Sequence, residues 1–163
     1  MSNIVRLFEK VQKIHYRICP YDKNEINEDL SFGDCRHKSE LLKQLLERKG
    51  FEVKKVRIIF DWADLPIPKD ILKILKSGTK FVHRSLKVKV KGNWINVDCT
   101  WNPELKKKGF PITEKWDGRL DTRQISYGKI EIYDEEDFDK IKIKINEEEA
   151  SKFAEKLNEF LGW

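Results

Sequence analysis

Cysteine is scarce in this chain, and long apolar runs are missing. Only three cysteines occur among the 163 residues, and no two form a Cys-x-x-Cys pair, which argues against a disulfide framework. No stretch approaches the roughly 18 apolar residues that a membrane span needs, and the first residues do not resemble a secretory signal. We therefore expect a chain with no membrane partner in the reducing cytoplasm.

A concentrated basic block is also missing, although the formal net charge is +5. Lysines alternate with glutamates along the chain, and Lys106 to Lys108 form the only run of three. No zinc-finger spacing and no stacking motif of an RNA-binding sheet accompanies them. The charge therefore indicates a solvated surface, and despite the basic balance we expect no nucleic-acid partner.

The apolar spacing predicts one α+β domain over residues 1–163, a length that can bury a substantial core. Residues 3 to 18 repeat apolar side chains at helical spacing, which predicts an amphipathic helix with His15 packed beside its apolar stripe. The other predicted elements are a strand at 53 to 60, a short helix at 70 to 76, strands at 129 to 133 and 140 to 145, and a helix capped by Asn146.

A leucine-rich segment from Asp34 to Lys49 predicts the central helix. Asp34 is a good N-cap, and Gly50 supplies a stop. Cys35 therefore falls in the first helical turn, where unpaired N–H groups and the positive end of the helix dipole favour a thiolate. The alternative for a lone cysteine beside leucines is a small packing residue.

The clearest pattern is a hairpin of residues 81 to 90 and 93 to 99, joined by a turn at Lys91-Gly92. A two-residue turn fixes the register and makes His83 and Asp98 diagonal neighbours on one face. The apolar residues of both strands occupy the opposite face, which we expect to cover the core. One polar face therefore carries a His and an Asp within reach of each other.

Cys35, His83 and Asp98 together supply a nucleophile, a base and an orienting group. His83 would take the thiol proton and later protonate the leaving group, while Asp98 holds the imidazole in one tautomer. The N–H of Cys35 is a natural oxyanion donor, because amides at a helix start point outward without partners.

These motifs resemble the transglutaminase-like superfamily of papain-like cysteine enzymes. The resemblance covers about residues 30 to 120, with residues 128 to 161 completing the domain. It is carried by Gly33-Asp34-Cys35, the helix from Leu41 to Gly50, His83 with the strand Leu86 to Val90, Gly92-Asn93-Trp94, and Asp98-Cys99-Thr100-Trp101. It implies N-terminal helices packed on an antiparallel sheet and thioester chemistry on an amide or ester carbonyl of a peptide or protein substrate, without a cofactor.

The chain departs from that family at three positions. Cys99 stands where the family usually has Pro, and Arg84 and Ser85 stand where it often has Ala and Trp. The family takes its second oxyanion donor from upstream of the cysteine, and Tyr16, Tyr21 and Asn27 are the candidates here.

Several residues have other predicted roles. We expect Cys99 to face the core, Cys19 to be structural and His37 to be a surface or packing residue. The tryptophans Trp62, Trp101 and Trp116 either line a cleft or pack in the core. A zinc site of Cys35, His37, His83 and Cys99 is the main metal alternative, although its spacing matches no common ligand pattern.

The sequence therefore predicts a cysteine-dependent hydrolase or acyl transferase with a triad of Cys35, His83 and Asp98. The family also includes members that have lost catalysis. The competing hypothesis is a catalytically silent module that keeps the fold to bind a peptide or a protein.

Overall fold

An antiparallel sheet with helices on both sides forms the centre of the molecule, in a computed structural model that describes residues 2–163. In chain order the elements are α1 (Asn3–Gln12), β1 (His15–Tyr16), β2 (Phe32–Gly33), α2 (Cys35–Arg48), β3 (Val53–Asp61), α3 (Lys69–Leu72), β4 (Lys80–Val90), β5 (Asn93–Val97), β6 (Glu131–Asp134) and α4 (Glu147–Phe160). Short 3-10 helices lie at Lys23–Glu25, Trp62–Asp64, Pro103–Lys108 and Glu135–Lys140. The predicted α+β class is confirmed.

The four-stranded sheet has the order β5-β4-β3-β6, and every neighbouring pair is antiparallel. Strands β1 and β2 form a separate parallel pair of two residues each. The predicted hairpin register is confirmed, because Val90 pairs with Asn93 and Leu86 with Val97. The turn between them uses Lys91 and Gly92, which both have positive φ.

Apolar clusters cover both faces of the sheet. One cluster joins α1 and α2 to the β4–β5 hairpin and includes Phe8, Leu42, Leu46, Leu86, Val88 and Val97. The other joins the opposite face of β3 to α4 and includes Val56, Ile58, Phe60, Trp62, Phe153 and Leu157. Since Ile58 pairs directly with His83, the face expected to be polar lies against the second cluster instead of water.

Two element predictions are wrong. Helix α1 ends at Gln12 instead of continuing to residue 18, because the chain turns to pair His15 and Tyr16 with β2. His15 is consequently exposed, not packed. Residues 140 to 145 form no strand, since the chain coils into a 3-10 helix after β6 and adds no further ladder.

The helix predicted after Asn146 is confirmed. The Asn146 side chain accepts a hydrogen bond from the N–H of Glu149 at 3.0 Å, which caps α4. Phe153 and Leu157 anchor α4 in the second cluster. No helix within residues 2–163 has the length and apolar content that crossing a membrane requires.

Candidate active site

Cys35 is the first residue of α2, and its neighbours hold that helix start in place. The Asp34 carboxylate accepts a hydrogen bond from the N–H of Arg36 at 3.0 Å, and the Asp34 N–H donates to Nδ1 of His37 at 3.1 Å. This is a capping box in which a histidine takes the usual place of Glu or Gln. Gly33 is required because a Cβ there would lie 2.6 Å from the Cβ of His37.

His83 and Asp98 form a direct contact at the end of the hairpin. Nε2 of His83 lies 2.7 Å from Oδ2 of Asp98. Strand β5 ends at Val97, so Asp98 lies just beyond the ladder. Its other carboxylate oxygen accepts from the N–H of Thr100 at 3.0 Å, while its own N–H donates to the Thr122 hydroxyl at 2.8 Å. These bonds hold the carboxylate against the imidazole.

The imidazole of His83 is positioned between a carboxylate and a thiol. Because Asp98 occupies Nε2, Nδ1 is the ring nitrogen left to face Cys35, which lies near the ring and lines the same cleft. Burial disfavours the charged ring, but the charges and hydrogen bonds of Asp98 and Cys35 outweigh it and raise the pKa of His83 to about 10. His83 therefore carries a proton at neutral pH.

Asp98 remains ionised beside that proton. Burial favours its neutral form, but the charge of His83 and the hydrogen bonds from His83 and Thr100 prevail and lower the pKa of Asp98. The side chain of His83 is 2% exposed and that of Asp98 is 9% exposed. Water therefore screens this ion pair weakly.

A cleft of about 660 Å³ opens in front of Cys35 and His83. Its floor is apolar and aromatic, and it is formed by Phe60, Trp62, Phe81, Trp101 and Phe153. Helix α4 forms one wall with residues such as Ala150 and Ala154. A thiol, an imidazole and an apolar cleft therefore meet at one place, as a binding site for an organic substrate requires.

The three candidate oxyanion donors lie in different places, and only one of them borders the cleft. Tyr16 is buried and lines the cleft. Burial first, and then the charge that the nearby Cys35 carries as a thiolate, raise the pKa of Tyr16 well above its usual value. Tyr21 lies outside the cleft lining, against the ring of His37 at 5.2 Å. Asn27 is turned to its own loop, where it accepts from the N–H of Asp29 at 2.8 Å. Among the three, only Tyr16 is near the thiol.

The tryptophans predicted for a cleft or the core divide between these roles. Trp62 and Trp101 line the cleft, while Trp116 packs against Phe8 in the first cluster, with ring centroids 4.8 Å apart. Cys99 is 4% exposed and faces that same cluster, as expected.

Lys38 is a supporting residue that the sequence reasoning missed. It is fully buried, and its ammonium donates to the backbone carbonyls of Gln12, Ile14 and Thr100 at 3.0, 2.6 and 2.8 Å. Burial lowers the pKa of Lys38 to about 8. By binding the Thr100 carbonyl it ties α2 to the loop that holds Asp98. The sequence signal that indicates a buried lysine is its position on the apolar stripe of a leucine-rich helix, three residues before Leu41.

A second group with the same residue types lies on the other side of the helix start. Sγ of Cys19 is 3.7 Å from Nε2 of His37, and Nδ1 of His37 is 3.2 Å from the Asp34 carboxylate. Cys19, Asp34 and His37 are named the cap group below, and Cys35, His83 and Asp98 the cleft group.

The cap group is one of two sets of side chains in residues 2–163 that are close enough to share a metal ion; the other is Asp134, Glu136 and Asp137. In the cap group both ring nitrogens of His37 already have backbone partners, since Nε2 donates to the Pro20 carbonyl at 2.9 Å. The zinc set of Cys35, His37, His83 and Cys99 does not come together within the described residues.

Comparisons with protein-family models, with curated proteins and with solved structures each found no match. Any functional assignment therefore depends on the geometry and chemistry of the residues themselves. Membership of the transglutaminase-like superfamily stays a prediction.

Proposed function

We propose that this protein is a cysteine-dependent hydrolase or acyl transferase that acts on an amide or ester carbonyl through a thioester. The observation that carries the proposal is the arrangement of the cleft group: Cys35 and His83 line the same cleft, and Nε2 of His83 is held by Asp98 at 2.7 Å. A protonated imidazole beside a thiol favours the thiolate, which is the reactive form of cysteine.

In the first step the Cys35 sulfur attacks the carbonyl carbon of the substrate. The tetrahedral intermediate then loses its amine or alcohol, and Nδ1–H of His83 supplies the proton that this leaving group needs. Asp98 stays ionised and compensates the charge of the imidazolium. The product of this step is a thioester on Cys35 and a neutral imidazole.

The second step reverses these roles. A water molecule, or an amine in the case of transfer, attacks the thioester carbonyl and gives its proton to His83. The carbon–sulfur bond breaks, the acyl product leaves and the thiolate–imidazolium pair is restored. Both steps pass through an oxyanion, so both need a donor placed where that charge develops.

Two groups are suited to stabilise the oxyanion. The N–H of Cys35 donates no hydrogen bond within residues 2–163, as expected for the first residue of a helix. Tyr16 lines the cleft, and within residues 2–163 its hydrogen bonds are made by its backbone N–H and C=O, which leaves its hydroxyl free. Both donors therefore remain available to a substrate.

A panel of fluorogenic amide and ester substrates tests the proposal. We expect Cys35→Ala to lower the rate on an accepted substrate by about 10³-fold or more, while the matched variant Cys19→Ala keeps it. Activity that survives in Cys35→Ala contradicts the proposal. Equal inactivity of wild type and both variants, together with ordinary reactivity of Cys35, favours the silent peptide-binding module.

A further inference from the structure

The cleft that holds Cys35 is bordered by three arginines, and they differ in their partners. Arg36 binds the Asp34 carboxylate at 2.6 Å and the Cys19 carbonyl at 2.6 Å. Arg57 binds Glu135 through two nitrogens at 3.1 and 2.9 Å. The guanidinium of Arg84, which also borders the cleft, forms no hydrogen bond and no ion pair with any residue from 2 to 163. The cleft therefore contains one guanidinium without an anionic partner.

Arg84 is held where an unpaired cation is costly. It lies directly opposite Arg57 across β3 and β4, and like charges in that position repel. Burial and then the charge of Arg57 lower the pKa of Arg84, while Cys35, Tyr21 and the Glu135 carboxylate that Arg57 binds act in the other direction without outweighing them. A group with these surroundings is stabilised by any anion that reaches it.

The side chain of Arg84 is also restrained. Its guanidinium lies 5.8 Å from the centre of the Tyr21 ring, and that of Arg36 lies 5.4 Å from the same ring. An arginine restrained in this way loses less side-chain entropy on binding a carboxylate than a freely moving one. The other unpaired charge in the lining is Glu147, at the start of α4, and it does not pair with Arg84.

We propose that Arg84 is the carboxylate-recognition residue of the cleft, and that the acyl substrate is an acidic one with a carboxylate beside its reactive carbonyl. This proposal rests on the proposed function, because it concerns the substrate of the same cysteine. Arg84 immediately follows the histidine of the cleft group, so both residues are fixed by the same strand. The planar guanidinium suits two parallel hydrogen bonds to a carboxylate.

Two alkylating reagents that differ only in charge test this without any substrate. Iodoacetate carries a carboxylate next to its reactive carbon, whereas iodoacetamide is neutral, and the Cys35 sulfur displaces iodide from both. The quantity measured is the ratio of the two rates at Cys35, followed by mass spectrometry. We expect Arg84→Gln to lower the ratio of iodoacetate to iodoacetamide by about tenfold. Arg84→Lys should lower it by less, because it keeps the charge.

Arg48→Gln is the matched control, since it removes the same charge from the exposed far end of α2. An unchanged ratio in Arg84→Gln overturns the proposal. An equal fall of the ratio in Arg48→Gln also overturns it, because the net charge of the protein would then explain the effect. Failure of the proposed function has a different signature. In that case iodoacetamide labels wild-type Cys35 no faster than Cys19, whatever the ratio shows.

Discussion

Two groups, each of a Cys, a His and an Asp, lie on opposite sides of the start of α2. Only the cleft group has an arrangement suited to catalysis. In the cap group the two nitrogens of His37 are taken by the Asp34 N–H and the Pro20 carbonyl. In the cleft group the backbone binds neither nitrogen of His83 in the described chain: Asp98 binds Nε2, and Nδ1 is left for Cys35 in the same cleft.

The two aspartates differ in the same way. The Asp34 carboxylate binds the Arg36 side chain and the N–H groups of the helix start. Burial raises the pKa of Asp34, but these partners outweigh burial and lower that pKa to about 2. Asp98 gives one oxygen to His83 and the other to the Thr100 N–H. The partners of each group, more than its residue types, therefore decide whether it supports the helix or is free to react.

The largest expected effect separates the two histidines. His83→Ala should lower the hydrolysis rate on an accepted substrate by about 10²- to 10⁴-fold, because it removes the proton donor and acceptor. His37→Ala should keep most of the rate and lose stability instead. The double variant of Cys35→Ala with His83→Ala should be no worse than either change alone, since the residues act as a unit. Equal losses of hydrolysis rate in His37→Ala and His83→Ala would contradict the distinction between the cap group and the cleft group.

The next, smaller effect is on the pH dependence of the free energy of unfolding. The pKa of His83 is about 10 in the folded state and about 6.5 in the unfolded chain. Its stabilisation is therefore fully present below about pH 6.5 and is lost as the pH rises through about 10. Between pH 6 and 8 the free energy of unfolding should fall by about 2 kcal/mol through His83 alone, and the fall should be clearly smaller in His83→Ala.

Urea unfolding at several pH values measures this change. The range ends at pH 8 because Lys38, whose pKa burial lowers to about 8, contributes with the opposite sign above it. His37→Ala is the control, because burial lowers the pKa of His37 but the neighbouring Asp34 carboxylate outweighs it and raises that pKa. A pH slope that persists in His83→Ala and disappears in His37→Ala would assign the titration to the cap group.

The smallest effect is expected at Cys19. Its sulfur is 3.7 Å from Nε2 of His37, a weak contact on a partly exposed side chain. Cys19→Ala should therefore lower the free energy of unfolding by about 1 kcal/mol or less and leave the reactivity of Cys35 as in the wild type. A loss of several kcal/mol in a thermal or urea titration would mean that the cap group depends on this sulfur.

Local patterns predicted much of this arrangement. The two-residue turn determines the hairpin register, so the sequence alone places His83 and Asp98 close together. Asp34 and Asn146 were recognised as caps because short polar side chains at a helix start satisfy free N–H groups. These features depend on residues that are close in sequence or in one ladder.

Features set by distant contacts were not predictable. The end of α1 at Gln12 depends on the pairing of His15 and Tyr16 with β2, which overrides helical spacing. The burial of Lys38 depends on carbonyls from three separate segments. Phe153 packs α4 into the second cluster and so makes this helix one wall of the cleft, and a helical period does not tell which surface a helix packs against.

The most direct test of the central claim is the order in which the three cysteines of the wild-type protein are alkylated. After brief treatment with iodoacetamide at neutral pH, mass mapping should find Cys35 labelled first. Cys19 should follow slowly, because burial raises the pKa of its thiol. Cys99 should be last, since burial raises the pKa of Cys99 to about 12. Equal labelling of Cys35 and Cys19 would contradict the account, because the cleft group would then give its thiol no advantage over the cap group.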